Sequence, residues 1–159
     1  MMAVGITLAK ISDINLVTAI LNHVTLDLLE KGVRQWRYPW QQGDIKKEIG
    51  LHNVYLVKSN NEIVGTFFLG TQQQIESLGV MEKALYLWRI AVLPDYQGMD
   101  YGKTILRFCE ELGLSSGLTV YLDCWSGNDK LKRFYQEQNC RYIGEFTEAD
   151  YQVSGFQLN

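Results

Sequence analysis

The residues with the clearest chemistry run from Leu85 to Leu106: an apolar stretch ending at Pro94, a loop carrying Gly98 and Gly102, and a helix-forming segment from Lys103 onward. Strand, glycine loop and helix start, in that order, build an anion site. Glycines let main-chain N–H groups approach a phosphate closely, and the first helical turn adds unpaired N–H groups and the positive end of its dipole. A phosphate-bearing ligand is the natural guest. Gly98 to Thr104 also invites a nucleotide-triphosphatase reading. However, three residues separate Gly98 from Gly102-Lys103, where the phosphate loop of those enzymes has four. An ordinary strand-to-helix turn with two glycines is the alternative that the loop alone leaves open.

These residues need a frame to position them. Val4 to Lys10 alternate as a strand, and Ser12 with Asp13 supplies a helix N-cap and an acidic first turn. Ile14, Val17, Leu21, Val24 and Leu28 recur at spacings of three and four, and Gly32 stands at the C-cap. Pro39 makes the aromatic stretch Val33 to Trp40 an irregular segment. A short helix from Asp44 to Ile49 follows, ending at Gly50. Strands Val54 to Lys58 and Ile63 to Leu69 then form a hairpin about Asn60-Asn61. Gln72 to Lys83 is polar and reads as a loop before the apolar strand Ala84 to Val92. Beyond the glycine loop, Ile105, Leu106, Cys109 and Leu112 form the apolar stripe of a helix that Gly113 terminates. A strand from Leu118 to Cys124, a helix capped by Asn128 or Asp129, and strands near Arg141 to Phe146 and Tyr151 to Leu158 complete the order β-α-α-β-β-β-α-β-α-β-β.

Composition narrows the function classes. A chain of 159 residues that is 47% hydrophobic fits one domain spanning residues 1–159. A net charge of −3, a pI near 5.4 and the lack of a dense basic run argue against nucleic acid and anionic membranes as partners. Cys109, Cys124 and Cys140 are odd in number and lack C-x-x-C spacing, and His23 and His52 form no ligand pair. Neither a disulfide framework nor a metal site is expected. With no apolar run long enough to cross a bilayer and no signal core, a cytoplasmic setting is expected.

The pattern Val92-x-Pro94-x-x-Gln97-Gly98-x-x-x-Gly102, in this order of elements, resembles the GNAT superfamily of acyl-CoA-dependent N-acetyltransferases. Their signature is Gln or Arg followed by G-x-G-x-G or G-x-G-x-A. A second pattern of that family, an Asn opening a helix with a Tyr seven residues on, is matched by Asn128 and Tyr135. The resemblance is strongest from Leu85 to Gly144 and weakest before Asn53. It implies an α/β fold: one domain with a mixed, largely antiparallel sheet flanked by helices, whose central strands splay into a V-shaped cleft. It also implies acetyl-CoA as acyl donor, with the pantetheine arm paired to the main chain of Ile90, Ala91 and Val92. The amides of Gln97, Gly98, Met99, Asp100, Tyr101, Gly102 and Lys103 would hold its pyrophosphate. Asn128 would meet the cofactor, although helix capping explains it equally well. One departure is that the middle glycine is Asp100, whose carboxylate sits near the pyrophosphate unless it turns to solvent or to Lys103. That departure keeps a non-catalytic acyl-CoA-binding module as the alternative to an enzyme.

For the enzyme, the resemblance implies transfer of an acetyl group to a primary amine by direct attack on the thioester. The reaction needs a neutral nitrogen, a polarised carbonyl and a proton for the leaving thiolate. Tyr135, placed by the resemblance beside the sulfur, suits the last task. Glu76, Glu82, Asp123 and Glu148 are candidate bases, each more ordinarily a solvated carboxylate, and a water chain is the alternative. Trp36, Tyr38 and Trp40 form either a cation–π wall for the acceptor or a hydrophobic cap on the core. The acceptor is a small-molecule or peptide amine. The edge of the C-terminal strands gives a homodimer a plausible contact.

Overall fold

Two alternating runs separated by Asn60 and Asn61 fold as the hairpin their turn demands, both asparagines taking positive φ (52° and 70°). The computed structural model, which describes residues 4–159, builds this hairpin from β2 (Val54–Ser59) and β3 (Glu62–Gln72). Around it stand β1 (Val4–Leu8), α1 (Ile14–Glu30), α2 (Gln42–Gly50), β4 (Ala84–Val92) and α3 (Tyr101–Ser116). β5 (Val120–Trp125), α4 (Asp129–Glu137), β6 (Arg141–Glu148) and β7 (Tyr151–Gln157) follow. The expected order of elements is the observed one.

The strands form one seven-stranded sheet in the order β1-β2-β3-β4-β5-β7-β6, antiparallel throughout except where β4 meets β5. On one face α1 and α2 bury Val17, Leu21 and Ile45 against Leu56 and Phe68. On the other, α3 and α4 bury Ile105, Cys109 and Tyr135 against Leu87, Leu122 and Phe156. The segment 73–83, a loop as expected, has a small core of its own, in which Ile75, Leu78 and Val80 close over Tyr121 and Val153. Among the described residues no helix is long and apolar enough to cross a membrane.

Two local expectations are corrected. Helix α3 does not stop at Gly113. It runs to Ser116, where Gly117 takes φ +68° and the Leu118 N–H donates to Gly113 O at 2.9 Å, a Schellman closure. Gly113 instead permits close packing, since a Cβ there would lie 2.7 Å from Val120 Cγ2 and 2.8 Å from Leu118 O. At the start of α1, neither Ser12 nor Asp13 caps the first-turn amides. The Asp13 carboxylate turns back to accept from the Lys10 N–H at 2.8 Å, bracing a 3-10 turn that feeds the helix.

The parallel junction positions the site. β4 pairs with β5 only over Leu85–Leu87 against Val120–Leu122. Past that point β4 stays with β3, Ala91 opposite Thr66 and Val92 opposite Gly65. β5 meanwhile stays with β7, Asp123 opposite Gly155 and Trp125 opposite Val153. The facing edges of Trp88–Val92 and Asp123–Trp125 therefore part into a wedge, the V-shaped opening expected between the central strands.

Candidate active site

Ile90, Ala91 and Val92 lie on the β4 edge of this wedge, and the glycine loop continues from its end. Three side chains pin the loop: Gln97 Nε2 donates to Val92 O at 2.9 Å, Tyr96 OH to Glu62 Oε2 at 2.6 Å and Tyr101 OH to Ser59 Oγ at 2.8 Å. Gly98 is at φ +79°, with nothing within 4 Å of where a Cβ would stand, so the backbone angle, not crowding, calls for glycine there. Gly102 has the opposite reason: a Cβ would be 3.1 Å from Phe134 Cζ, so it lets α3 and α4 meet. The first rung of α3 runs from Thr104 N–H to Asp100 O at 3.1 Å, which leaves the Gly102 and Lys103 amides ahead of the helical ladder. Gly98, Met99 and Lys103 are exposed beside them. The Gln97 amide, by contrast, already donates to Pro94 O at 3.2 Å, so Gln97 holds the loop in shape.

Asp100 takes φ +68°, ψ +13°, the left-handed conformation a glycine adopts freely. Its side chain is exposed and makes no capping bond. It forms no ion pair with Lys103; the ion pairs among the described residues are Lys31–Asp27 and Arg89–Asp44.

Tyr135 is 2% exposed, set edge-on to Phe156 with ring centroids 5.3 Å apart. Burial, then the electrostatic influence of Cys124 and Asp123, holds its phenol far above the ordinary range and thus protonated. Nearby thiols gauge how apolar this region is, Cys124 being pushed up to about 12 and Cys140 to about 11, in each case first by burial. Asn128 caps α4, its Oδ1 accepting from Leu131 N–H at 3.2 Å, while its Nδ2 donates to Gln35 Oε1 at 3.3 Å. Both ends of that side chain are thus engaged within the protein, and capping accounts for its presence.

β5 alternates, so Cys124 faces the α4 side near Tyr135 and Asp123 faces the opposite side of the sheet. There Asp123 Oδ2 accepts from Tyr86 OH at 2.7 Å. Burial raises the Asp123 carboxyl from the ordinary 3.8 to about 6, outweighing the opposing bond from Tyr86, and Glu148 adds to the rise. Of the four candidate bases, Glu76 and Glu82 are exposed and Glu148 is half-buried. Asp123 alone among them is on a strand that borders the wedge, at its apex, directly after the last β4–β5 pair.

The aromatic segment divides. Trp36 and Trp40 pack edge-to-face, centroids 5.6 Å apart, as part of the core under α1 and α2. Trp40 Nε1 donates to Thr25 Oγ1 and its main-chain N to Asn22 Oδ1, both at 2.8 Å. The cation over its ring is the protein's own Arg89, 4.9 Å from the centroid. Tyr38 is 49% exposed and stands apart from this pair. The geometry thus favours the core-cap reading for the two tryptophans.

Sequence reasoning missed Tyr86 and Gln35. Tyr86 carried a usable signal, since it shares a face of β4 with Trp88 two residues on, and β5 holds one carboxylate; in the fold the two rings stack at 5.2 Å. Gln35 carried none. Its Oε1 accepts from Trp125 N–H and Asn128 Nδ2, each at 3.3 Å, across a sequence separation no local pattern spans.

Comparison with known proteins agrees with this geometry. The model of the acetyltransferase (GNAT) family matches residues 25–140. No curated protein matches the chain. Among solved structures, a GNAT-family acetyltransferase from Listeria monocytogenes superposes with a TM-score of 0.78 at 20% identity, covering 97% of this chain and 94% of that one. The yncA protein of Salmonella typhimurium, solved with its cofactor acetyl-CoA, gives 0.70 at 15% identity over 98% and 92% of the two chains. Naa50 of Arabidopsis thaliana, in complex with the bisubstrate analogue CoA-Ac-MVNAL, gives 0.70 at 12% identity over 97% of each. At such identities the likeness is one of fold.

Proposed function

The chain belongs to the GNAT acetyltransferase family, and from that premise we propose that it transfers an acetyl group from acetyl-CoA to a primary amine by direct attack on the thioester. The observation that carries the proposal is the wedge. A glycine loop with helix-start amides continues from one edge of it, Asp123 stands on the β5 edge, and Tyr135 is buried close enough to Cys124 and Asp123 to feel both, which supports opposite proton-transfer duties for Asp123 and Tyr135. Acetyl-CoA supplies the activated acyl group and a thiolate leaving group. Main-chain amides of Gly98 to Lys103 take its pyrophosphate, and the β4 edge at Ile90, Ala91 and Val92 takes its pantetheine arm and polarises the carbonyl.

Asp123, near 6, is ionised at neutral pH and close enough to that pH to accept a proton from the attacking amine. As the N–C bond forms and the C–S bond breaks, Tyr135 gives its proton to the sulfur. A thiolate left in this apolar region is strongly basic, as the raised Cys124 thiol indicates, so even a raised phenol serves as its acid. The net proton movement is from amine to sulfur. Unpaired buried cysteines fit a reducing, cytoplasmic setting.

The test is calorimetric titration with acetyl-CoA, with ATP in parallel, followed by an amine panel read as release of the CoA thiol. Saturable acetyl-CoA binding without ATP binding, and turnover on an amine, is the expected result. Binding with no turnover on any amine would make the protein a sensing module instead.

A further inference from the structure

β4 carries a defect in mid-strand. Its pairing with β3 shifts between Thr66, opposite Ala91, and Phe68, opposite Trp88, so Phe67 faces both Arg89 and Ile90. This is a β-bulge, in which one residue leaves the ladder and main-chain groups on the bulged strand lose their partners. Arg89 sits at its centre with φ +55°. A residue with a Cβ pays about 1–2 kcal/mol for that conformation, and such strain persists only where the surroundings over-determine it.

Here the side chain supplies the constraint. Arg89 Nη1 lies 2.7 Å from Asp44 Oδ2 on α2. The guanidinium carbon stands 4.9 Å from the Trp40 ring centroid and 5.0 Å from that of Phe68. The Asp44 contact is one of charge and not of direction, because the buried Nη1 makes no aligned hydrogen bond. Trp40 is in turn fixed to α1 through Thr25 and Asn22. One side chain therefore joins the bulge of the donor strand to β3, to α2 and to the α1–α2 segment.

We propose that Arg89 is a positioning residue: its clamp on Trp40, Phe68 and Asp44 holds the β4 bulge, and with it the course of the main chain beyond, so that N–H groups on the edge facing away from β3, at Ile90 and Val92, aim at a thioester carbonyl in the wedge. The same clamp makes that aim depend on the seating of the α1–α2 segment. This inference rests on the donor-site reading above. A side chain that only packs would affect stability and leave the carbonyl's environment unchanged.

The experiment is infrared difference spectroscopy of acetyl-CoA isotopically labelled at the thioester carbonyl, bound to the wild-type protein and to Arg89→Ala, Arg89→Lys and Asp44→Asn. In the wild-type protein the bound carbonyl stretch should fall below that of free acetyl-CoA. Arg89→Ala should lose most of that shift while its acetyl-CoA Kd, set chiefly by the glycine loop, stays within about threefold. Arg89→Lys and Asp44→Asn should lose part of it, and they carry the test if Arg89→Ala does not fold. An undiminished shift in the variants, with only a lower melting temperature, overturns the clamp alone. A wild-type protein that does not bind acetyl-CoA overturns the donor-site reading and the clamp with it.

Discussion

The two sides of the wedge are built from different material. The donor side, from Ile90 to Lys103, is a continuous run whose working groups are main-chain amides, and its side chains serve to hold that main chain still, as Gln97, Tyr96 and Tyr101 do. The side facing α1 is assembled from Tyr86, Trp88, Asp123 and Gln35, which come together only through tertiary packing. A main-chain site tolerates most changes of side chain and fails when the backbone changes course. A side-chain site fails one residue at a time.

If that contrast holds, the largest loss should come from Asp123→Asn, which keeps an acceptor for Tyr86 and removes the base. We expect kcat/KM to fall about a thousandfold with acetyl-CoA affinity intact. In the wild-type protein the kcat/KM profile should carry an inflection near 6 beneath the further rise set by deprotonation of the acceptor amine, and that inflection should vanish in the variant. Stability should move the other way. Because the folded carboxyl is raised from 3.8 to about 6, the native state keeps its proton where the unfolded chain has lost it. Stability from this group thus falls as pH rises through that window, and the cost is complete above it. Asp123→Asn should therefore be more stable than wild type at pH 7, by up to about 3 kcal/mol, with the gain fading below pH 4. A variant that is inactive and also less stable at pH 7 would make Asp123 a structural residue. Next in size, Tyr135→Phe should lower kcat about a hundredfold with acetyl-CoA Kd unchanged, and unchanged turnover would remove Tyr135 from the mechanism.

The same contrast explains what could be read before the fold was seen. Element order and the glycine loop were legible because periodicity and the spacing of Gly98 and Gly102 are local signals of backbone geometry. Asp123 was one of four equal carboxylates in the sequence, because its burial depends on Tyr86, thirty-seven positions away, and on the end of β4–β5 pairing. Gly113 misled for the complementary reason. A glycine in a helical pattern marks a stop or a close approach, and only the position of Val120 decides which.

Trp40→Ala tests whether the tryptophans belong to the core or to the substrate. With Thr25 and Arg89 both losing a partner and the Trp40 main-chain N–H still donating to Asn22, we expect a stability loss of about 2–3 kcal/mol in urea unfolding, with acceptor KM moved less than kcat. A selective rise in acceptor KM at unchanged stability would return Trp40 to the acceptor wall.

The smallest effect should come from the donor side, where one side chain does intrude on a main-chain site. At Asp100 two variants separate strain from charge. Asp100→Gly relieves the left-handed angle and removes the carboxylate, whereas Asp100→Asn removes the charge while retaining a side chain that tolerates that angle. We expect both to tighten acetyl-CoA binding about threefold to tenfold at low ionic strength, with only the glycine variant also gaining stability. Salt should shrink the gain, since the exposed carboxylate acts through solvent. If Asp100→Asn binds no more tightly than wild type, the carboxylate faces away from the phosphates, and the loop works through its backbone alone.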